Sequence, residues 1–582
     1  MSNLNKINQK VKRINSKFYV LEENTSISLY GETDNYDDII KALDKCFTFD
    51  HLGVIDRVTY TGSRNKIFEP SQEDFSLDKM HVDVLIVGGG IVGLSILREL
   101  SKYKLNTLLI EKEADIALNE SFGLNGIIYP HELYSKSSNK YKYIKNGLSK
   151  IERLCQDLEV KLEKHDHIFF TSNHLQKVFY LKSKKDSLFE SKYYTRNELL
   201  KKNIDVPKYA TGGIIYKSLY SVDPFKLSLS LIENALDNGA HIALSTYLYD
   251  MDIENGIIKS VSTNKGKISA SIVINCAGIN ADIVSDLAKD RTFTILQQSS
   301  IKAVKEINDM KYGYSLFPYT ITKGNRIRNS FFLRPTIYSK RLINKENKPN
   351  SITLFDGSVI YGYYGKYSPI KELNTLNKNL LNRCINFNQY LFNGLNETQN
   401  LYYKEYLHES TIDNEYIIRK GIFTKNIIEV AGISDSKIPA SISISEEVKN
   451  FVIDYLKDYI EIKENKTFNL HHNSINRVKD YPNSLKDKMI KNNKDYGNII
   501  CECKEISKGE VIDILNSPLK VYSLNGIKRR LGLLYSSCNG SLCDYKIISI
   551  ISEKKHIELS KILYDKDKSY ILYKDSEVSK NE

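Results

Sequence analysis

Four of the eight cysteines, Cys501, Cys503, Cys538 and Cys543, fall within "CECKEISKGEVIDILNSPLKVYSLNGIKRRLGLLYSSCNGSLC" (501–543), spaced C-x-C, then 34 residues, then C-x4-C. Thiolates are soft ligands, and two close pairs can complete tetrahedral sulfur coordination at both irons of a [2Fe–2S] cluster; one zinc ion accepts four thiolates as well. The other four, Cys46, Cys155, Cys276 and Cys384, are scattered through the chain. That distribution predicts a local ligand set in a reducing compartment, not a disulfide framework. Lys528, Arg529 and Arg530 stand close to the second pair in sequence. They either add positive charge that favours a reduced cluster or form a solvated helix face.

A second group of residues lies near the start. "DVLIVGGGIVGLSILREL" (83–100) runs from an apolar stretch through three glycines into helical spacing. Gly88, Gly90 and Gly93 fit G-x-G-x-x-G: the first permits the tight turn, the second lets backbone N–H groups approach a pyrophosphate, and the third lets helix and strand pack closely. Glu111 ends the next apolar stretch, "NTLLIEKE" (106–113), where a carboxylate can accept hydrogen bonds from ribose hydroxyls. Strand, loop, helix, strand and acid in this order predict dinucleotide binding, without deciding between FAD and NAD.

The elements that position these groups follow from periodicity. Residues 1–79 read as a small α+β module with a linker, from "SISLYGE" (26–32), "NYDDIIKALDKCF" (35–47) and "VIDRVTYTG" (54–62). Residues 80–456 carry the nucleotide loop and one long helix, "YIKNGLSKIERLCQDL". They also carry a turn at "LYSV" before a helix started by Asp223-Pro224, and a buried strand in "SASIVINCAG" (269–278). Alternating apolar and Tyr residues over 297–415 predict an antiparallel sheet. A connecting segment, 457–498, leads to a small helical unit, 499–582, that holds the cysteines. The predicted fold class is therefore α/β and α+β: a Rossmann-like nucleotide domain, an antiparallel-sheet substrate domain and two small appended units.

Composition excludes other classes. Lys and Arg number 83 against 71 Asp and Glu, giving a formal charge of +12, but the basic residues are interspersed with acidic ones, so no nucleic-acid patch is expected. No integral membrane segment is expected, because the chain has no apolar run of about 18 residues, and the N-terminal stretch lacks the apolar core of a signal peptide. The expected location is cytoplasmic, with any membrane contact peripheral and made through partners.

Beyond the loop, "VINCAGINAD" (273–282) and "IIEVAGISDSKIPASISISEEV" (427–448) resemble the two further FAD-contacting segments of the D-amino-acid-oxidase-like flavoproteins. The resemblance implies FAD as the cofactor and adds Gly278 and Gly432 to the residues that contact it. "DYGNIICECKEISKGEV" and "LNGIKRRLGLLYSSCNGSLC" resemble the bacterioferritin-associated-ferredoxin-like domain, which implies that Cys501, Cys503, Cys538 and Cys543 hold a [2Fe–2S] cluster. Together the two resemble the A subunits of anaerobic glycerol-3-phosphate dehydrogenases, over most of the chain. That implies hydride transfer from a small-molecule substrate to flavin, with electrons leaving through the cluster to a partner protein or quinone-linked subunit. Other substrates, a 2-hydroxy acid such as 2-hydroxyglutarate or an amino acid, stay open, as does a non-catalytic electron-transfer subunit. The departures are local. "SFGLNGIIYPHE" (121–132) replaces a family segment close to T-S-x-x-N-S-x-x-x-H-A-G, and Ser436-Lys437 stands where Pro-Gly is usual. Tyr129 and His131 are the candidates for acid/base or orienting work, and Arg334 in "FLRPT" for holding an anionic group.

Overall fold

The computed structural model describes the chain from Asn3 to Leu572, except for residues 24, 49, 63–73, 172–173, 205, 207–209, 307–313, 324–330, 336–348, 356–357, 372–376, 392–399, 435, 473–476, 537 and 567. Over 314–366 it describes the backbone alone.

The nucleotide strand, Met80–Val87, lies at the centre of a sheet in the order Leu248–Glu254, Ile257–Thr263, Gly266–Asn275, Met80–Val87, Thr107–Ile110, His241–Ala243. Its pairings with Gly266–Asn275 and Thr107–Ile110 are parallel, as is that of Ile427–Ala431 with Gly266–Asn275. Helices cover parallel strands on both faces, so these strands read as continuous apolar runs and not as alternation. Helix Ile91–Leu100 packs between helices Pro224–Asp237 and Lys437–Leu456, burying Ile91, Leu94, Leu97 and Leu100. Asp223 caps helix Pro224–Asp237, accepting from the Phe225 and Lys226 N–H groups, with Pro224 in the first turn.

The substrate sheet is larger than the sequence predicts. It runs Asn400–Ser410, Leu296–Glu306, Ser358–Tyr367, Pro349–Phe355, Tyr314–Lys323, Leu162–Thr171, Gly212–Val222, Ser191–Thr195, with Phe331–Pro335 paired to Tyr314–Lys323. Three strands therefore come from 162–222, outside the predicted 297–415. One internal pairing, Tyr314–Lys323 with Leu162–Thr171, is parallel. The turn expected at "LYSV" is instead the end of strand Gly212–Val222, because Leu219 and Val222 are needed in the core. The single helix expected over 143–158 is two, Asn139–Leu148 and Ile151–Asp157. A tight turn, Lys150 N–H to the Gly147 carbonyl, separates them where Gly147 passes against the Pro439 backbone.

At the N-terminus, strands Tyr19–Glu23, Ser26–Thr33 and Val54–Tyr60 form a three-stranded sheet with helices Asn3–Lys12 and Tyr36–Cys46. Its apolar cluster extends to Leu296 and Tyr367 of the substrate sheet. At the C-terminus a short hairpin, Ile499–Cys501 with Ile506–Ser507, and helices Lys508–Asn516, Leu524–Leu531 and Asp544–Lys555 enclose a core of Ile506, Val511, Ile527 and Ile547. A capping box between Ser507 and Glu510 starts the first helix. Among the described residues, no helix is long and apolar enough to cross a membrane.

Candidate functional site

The glycine loop leaves the nucleotide strand at Gly88, whose φ of +115° is open to glycine alone, and a Cβ there would lie 2.3 Å from the Cys276 carbonyl oxygen. At Gly93 a Cβ would lie 2.1 Å from the Gly88 oxygen, so helix and loop approach as closely as backbone allows. Gly90 is different: a Cβ would meet only Ser121 Oγ, at 3.3 Å, and its face opens on a cleft. That cleft is lined by Gly88, Gly90, Glu111, Ser121, Gly278 and Lys437, among others. The Ile91 N–H at the helix start donates to Ser121 Oγ at 3.1 Å. Glu111 accepts from the Gly89 N–H at 2.6 Å and the Glu113 N–H at 2.9 Å, and burial raises its pKa. A backbone passage with no side chain in it, the positive end of a helix and a carboxylate beyond it together fit a dinucleotide pyrophosphate and its ribose. Gly432, with φ +66°, opens the loop that carries Ile433 and Lys437 to the same cleft. Cys276 also lines it, with a thiol pKa that burial pushes up, in keeping with a packing role.

Sequence reasoning missed a buried charge cluster at this cleft. Lys437 bonds Glu120 at 2.8 Å and Glu409 at 2.6 Å, and His408 Nδ1 lies 2.5 Å from Glu120. All four are buried. Burial opposes ionisation of Glu120, but Lys437 and His408 hold its pKa below the usual value; for Glu409 burial wins and the pKa rises. The signal was present: a lysine opening an apolar helix has to find carboxylates, and Glu120 stands beside Ser121 in the altered loop. Ser436, where the family pattern has proline, takes the left-handed conformation at φ 48°, and its hydroxyl lies 2.9 Å from Tyr134 Oη.

Neither Tyr129 nor His131 lines the cleft. Tyr129 is buried among Ile127, Phe169 and Tyr216 and accepts from Asn125 Nδ2 at 2.8 Å. His131 is fully buried, edge-on to Tyr141, and desolvation lowers its pKa to about 4, so it is neutral at physiological pH. Arg334 pairs with Thr320 on the substrate sheet, and its side chain lies outside the described residues.

The four C-terminal cysteines do come together. Cys501 and Cys503 sulfurs are 3.4 Å apart, Cys503 and Cys538 are 4.0 Å apart, and Cys543, which donates to the Gly540 carbonyl at 3.2 Å, lies close enough to Cys501 for its thiol pKa, raised first by burial, to be raised further by it. These are pairwise contacts. Among the described residues no group of three or more His, Cys, Asp or Glu side chains forms a metal cage. Thiolate is a donor that both metals accept, but the printed sulfur contacts join Cys501 to Cys503 and Cys503 to Cys538 and do not make a cage. Cys501 and Cys543 are buried, whereas Cys503 is exposed.

The basic run beside the second pair divides. Lys528 pairs with Asp544 at 2.9 Å and lies against Gly540, between Cys538 and Cys543. Arg529 and Arg530 turn the other way: both grip Asp115, in the loop after Glu111, with contacts of 2.9 Å. All three side chains are buried, so these arginines dock the cysteine unit on the nucleotide sheet and are neither a solvated face nor a charge source at the sulfurs.

The family model described as FAD dependent oxidoreductase matches residues 83–441. A glycerol 3-phosphate dehydrogenase of Caloramator mitchellensis is 26% identical over 498 residues, covering 84% of this chain and 98% of the relative. Among solved structures, the fold is similar to the FAD-bound L-alpha-glycerophosphate oxidase of Mycoplasma pneumoniae, with TM-score 0.55, 19% identity, and 68% of this chain and 98% of that one covered. The FAD-complexed glycerol-3-phosphate dehydrogenase of Bacillus halodurans gives TM-score 0.55, 13% identity, and coverage of 82% and 91%.

Proposed function

The chain belongs to the FAD dependent oxidoreductase family, and from that membership we propose that it oxidises glycerol 3-phosphate and passes the electrons through a [2Fe–2S] cluster on the C-terminal cysteines. It is an FAD-dependent oxidoreductase of glycerol-3-phosphate dehydrogenase type. The observation that carries the substrate is the end-to-end match to the Caloramator relative, which spans far more than the family segment 83–441.

When bound, FAD supplies a hydride acceptor. Gly88, Gly90, Gly93 and Glu111 would hold its phosphates and ribose, and the loops at Gly278 and Gly432 its remaining length. Lys437, held by Glu120 and Glu409, keeps a positive charge on the cleft wall. Arg334 is the candidate for the substrate's anionic group, since a guanidinium can hold phosphate or carboxylate. Tyr129 and His131 act through the loop 121–132, fixing its path so that Ser121 and Glu120 reach the cleft.

Cys501, Cys503, Cys538 and Cys543 would ligate the cluster. The contacts of Cys503 with Cys501 and Cys538 support this ligand set, and because Cys503 is exposed a centre held there would lie within reach of a partner protein or quinone-linked subunit that collects electrons one at a time. The same four sulfurs would hold zinc, which has no redox chemistry. The test is glycerol 3-phosphate-dependent reduction of a one-electron acceptor under anaerobic conditions, with iron and acid-labile sulfide measured on the same preparation. Turnover with about two irons per chain supports the proposal. Turnover with zinc alone removes the cluster from it, and no turnover removes the substrate.

A further inference from the structure

A second cleft, sharing no lining residue with the nucleotide cleft, lies where the cysteine unit meets the oxidoreductase fold. It measures about 970 Å³ and is lined by nine Lys and Arg against five Asp and Glu. Its inner wall holds an aromatic pair, Phe122 and Phe225, edge to face at 5.8 Å. A cation stands over each ring: Lys302 Nζ lies 5.5 Å from the Phe122 centroid, and the Arg530 guanidinium 5.8 Å from that of Phe225.

Both cations have donors to spare. Lys302 is 5% exposed, and its ammonium meets no carboxylate among the described residues: it donates to the Phe122 and Leu124 carbonyls at 3.1 and 3.0 Å, leaving a third N–H. Burial lowers its pKa to about 8, against the weaker pull of Asp223 on the same cleft wall, which makes no direct ion pair with it. Arg530 spends Nη1 and Nη2 on Asp115, while its Nε is buried with no partner. An unpaired buried cation costs free energy, and a bound anion offsets that cost.

We infer that this cleft is a binding site for a small organic oxyanion, a phosphate ester with an apolar body. Its acid group would sit between Lys302 and Arg530, and its body against Phe225 and Leu162. Exposed Lys226, at the rim, adds to the field that draws the anion in. The cleft shares no lining residue with the nucleotide cleft, and its test reads binding and not turnover, so it can fail without the reading above failing.

The test is calorimetric titration of the FAD-loaded full-length protein with phenyl phosphate, inorganic phosphate and phenol. The inference expects saturable one-site binding of phenyl phosphate with no change in the flavin spectrum, weaker binding of inorganic phosphate, and none of phenol. Lys302→Met should weaken phenyl phosphate by about tenfold or more, the loss of one charged hydrogen bond, and Lys302→Arg should keep most of the affinity. Lys226→Glu, at an exposed position that leaves the core untouched, should weaken it several-fold. No phenyl phosphate binding, equal affinity for inorganic phosphate, a perturbed flavin spectrum, or affinity unchanged in both Lys302→Met and Lys226→Glu would overturn the inference.

Discussion

Replacing Asp115 with asparagine tests how the cysteine unit is held. Asp115 accepts from Arg529 Nε and Nη2 at 3.2 and 2.9 Å and from Arg530 Nη1 and Nη2 at 2.9 and 3.0 Å, while its Oδ1 also accepts the Ile116 N–H at 2.9 Å. Burial alone would raise its pKa, but Arg530 and Arg529 hold it below the usual carboxylate value. The carboxylate is therefore ionised throughout the physiological range, and the clasp weakens only as pH falls through that lowered pKa. Asp115→Asn keeps the shape and the backbone bond but removes the charge, leaving Asp565, 2.7 Å from Arg529, as the remaining counter-ion. Breaking a buried pair by neutralising one partner costs about 3–5 kcal/mol. In the folded protein that cost appears as opening of the unit: hydrogen exchange in helix Leu524–Leu531 should rise by a factor of about 10² to several times 10³. Adding Arg530→Met to Asp115→Asn should restore part of the protection, because the orphaned charge goes with it. Exchange within about fivefold of wild type in Asp115→Asn, or no recovery in the double variant, would refute the clasp as the docking element.

Gly93→Ala forces a Cβ to within 2.1 Å of the Gly88 oxygen; FAD affinity, read by fluorescence titration of the apoprotein, should fall by about tenfold to a hundredfold, and unchanged affinity would remove the close helix approach from the account. Glu429 is buried beside Asn275, and burial raises its pKa to about 7, so the folded state holds a proton that the unfolded state releases near 4.5. The associated stability is present below the unfolded value and lost as pH rises through 7. Glu429→Gln should match wild type in acid yet be more stable at about pH 8 by roughly 3 kcal/mol in denaturant titrations; equal stability at both pH values would contradict the assignment. Cys538→Ser should lower bound iron to near zero while far-UV circular dichroism stays unchanged, since the Ile506–Val511–Ile527–Ile547 core folds around apolar contacts; full iron retention would exclude Cys538 as a ligand.

The nucleotide loop was legible because each glycine is dictated by local backbone geometry: the left-handed turn at Gly88 and the close approach at Gly93 leave a mark in four or five successive residues. The contact of Cys503 with Cys501 and Cys538 was legible in the two short-range pairs, which need only one tertiary contact to meet. The substrate sheet was read at two thirds of its width, because Leu162–Thr171 and Gly212–Val222 are buried strands whose apolar runs carry no period that separates them from loop or helix. The Lys437–Glu120–Glu409 cluster joins residues 317 and 28 positions apart, which local periodicity cannot connect. The arginines at 529 and 530 show the limit most plainly. In sequence they adjoin the cysteines; in space they answer an aspartate more than four hundred residues away.

The central claim is that the nucleotide cleft works as a flavin site reduced by glycerol 3-phosphate. Its most direct test is an anaerobic spectral titration of the FAD-loaded, iron-replete protein with glycerol 3-phosphate, with 2-hydroxyglutarate and several amino acids run in parallel. The account predicts saturable bleaching of the flavin band by glycerol 3-phosphate and by none of the others at the same concentration. A flavin that dithionite bleaches but glycerol 3-phosphate leaves oxidised would contradict it.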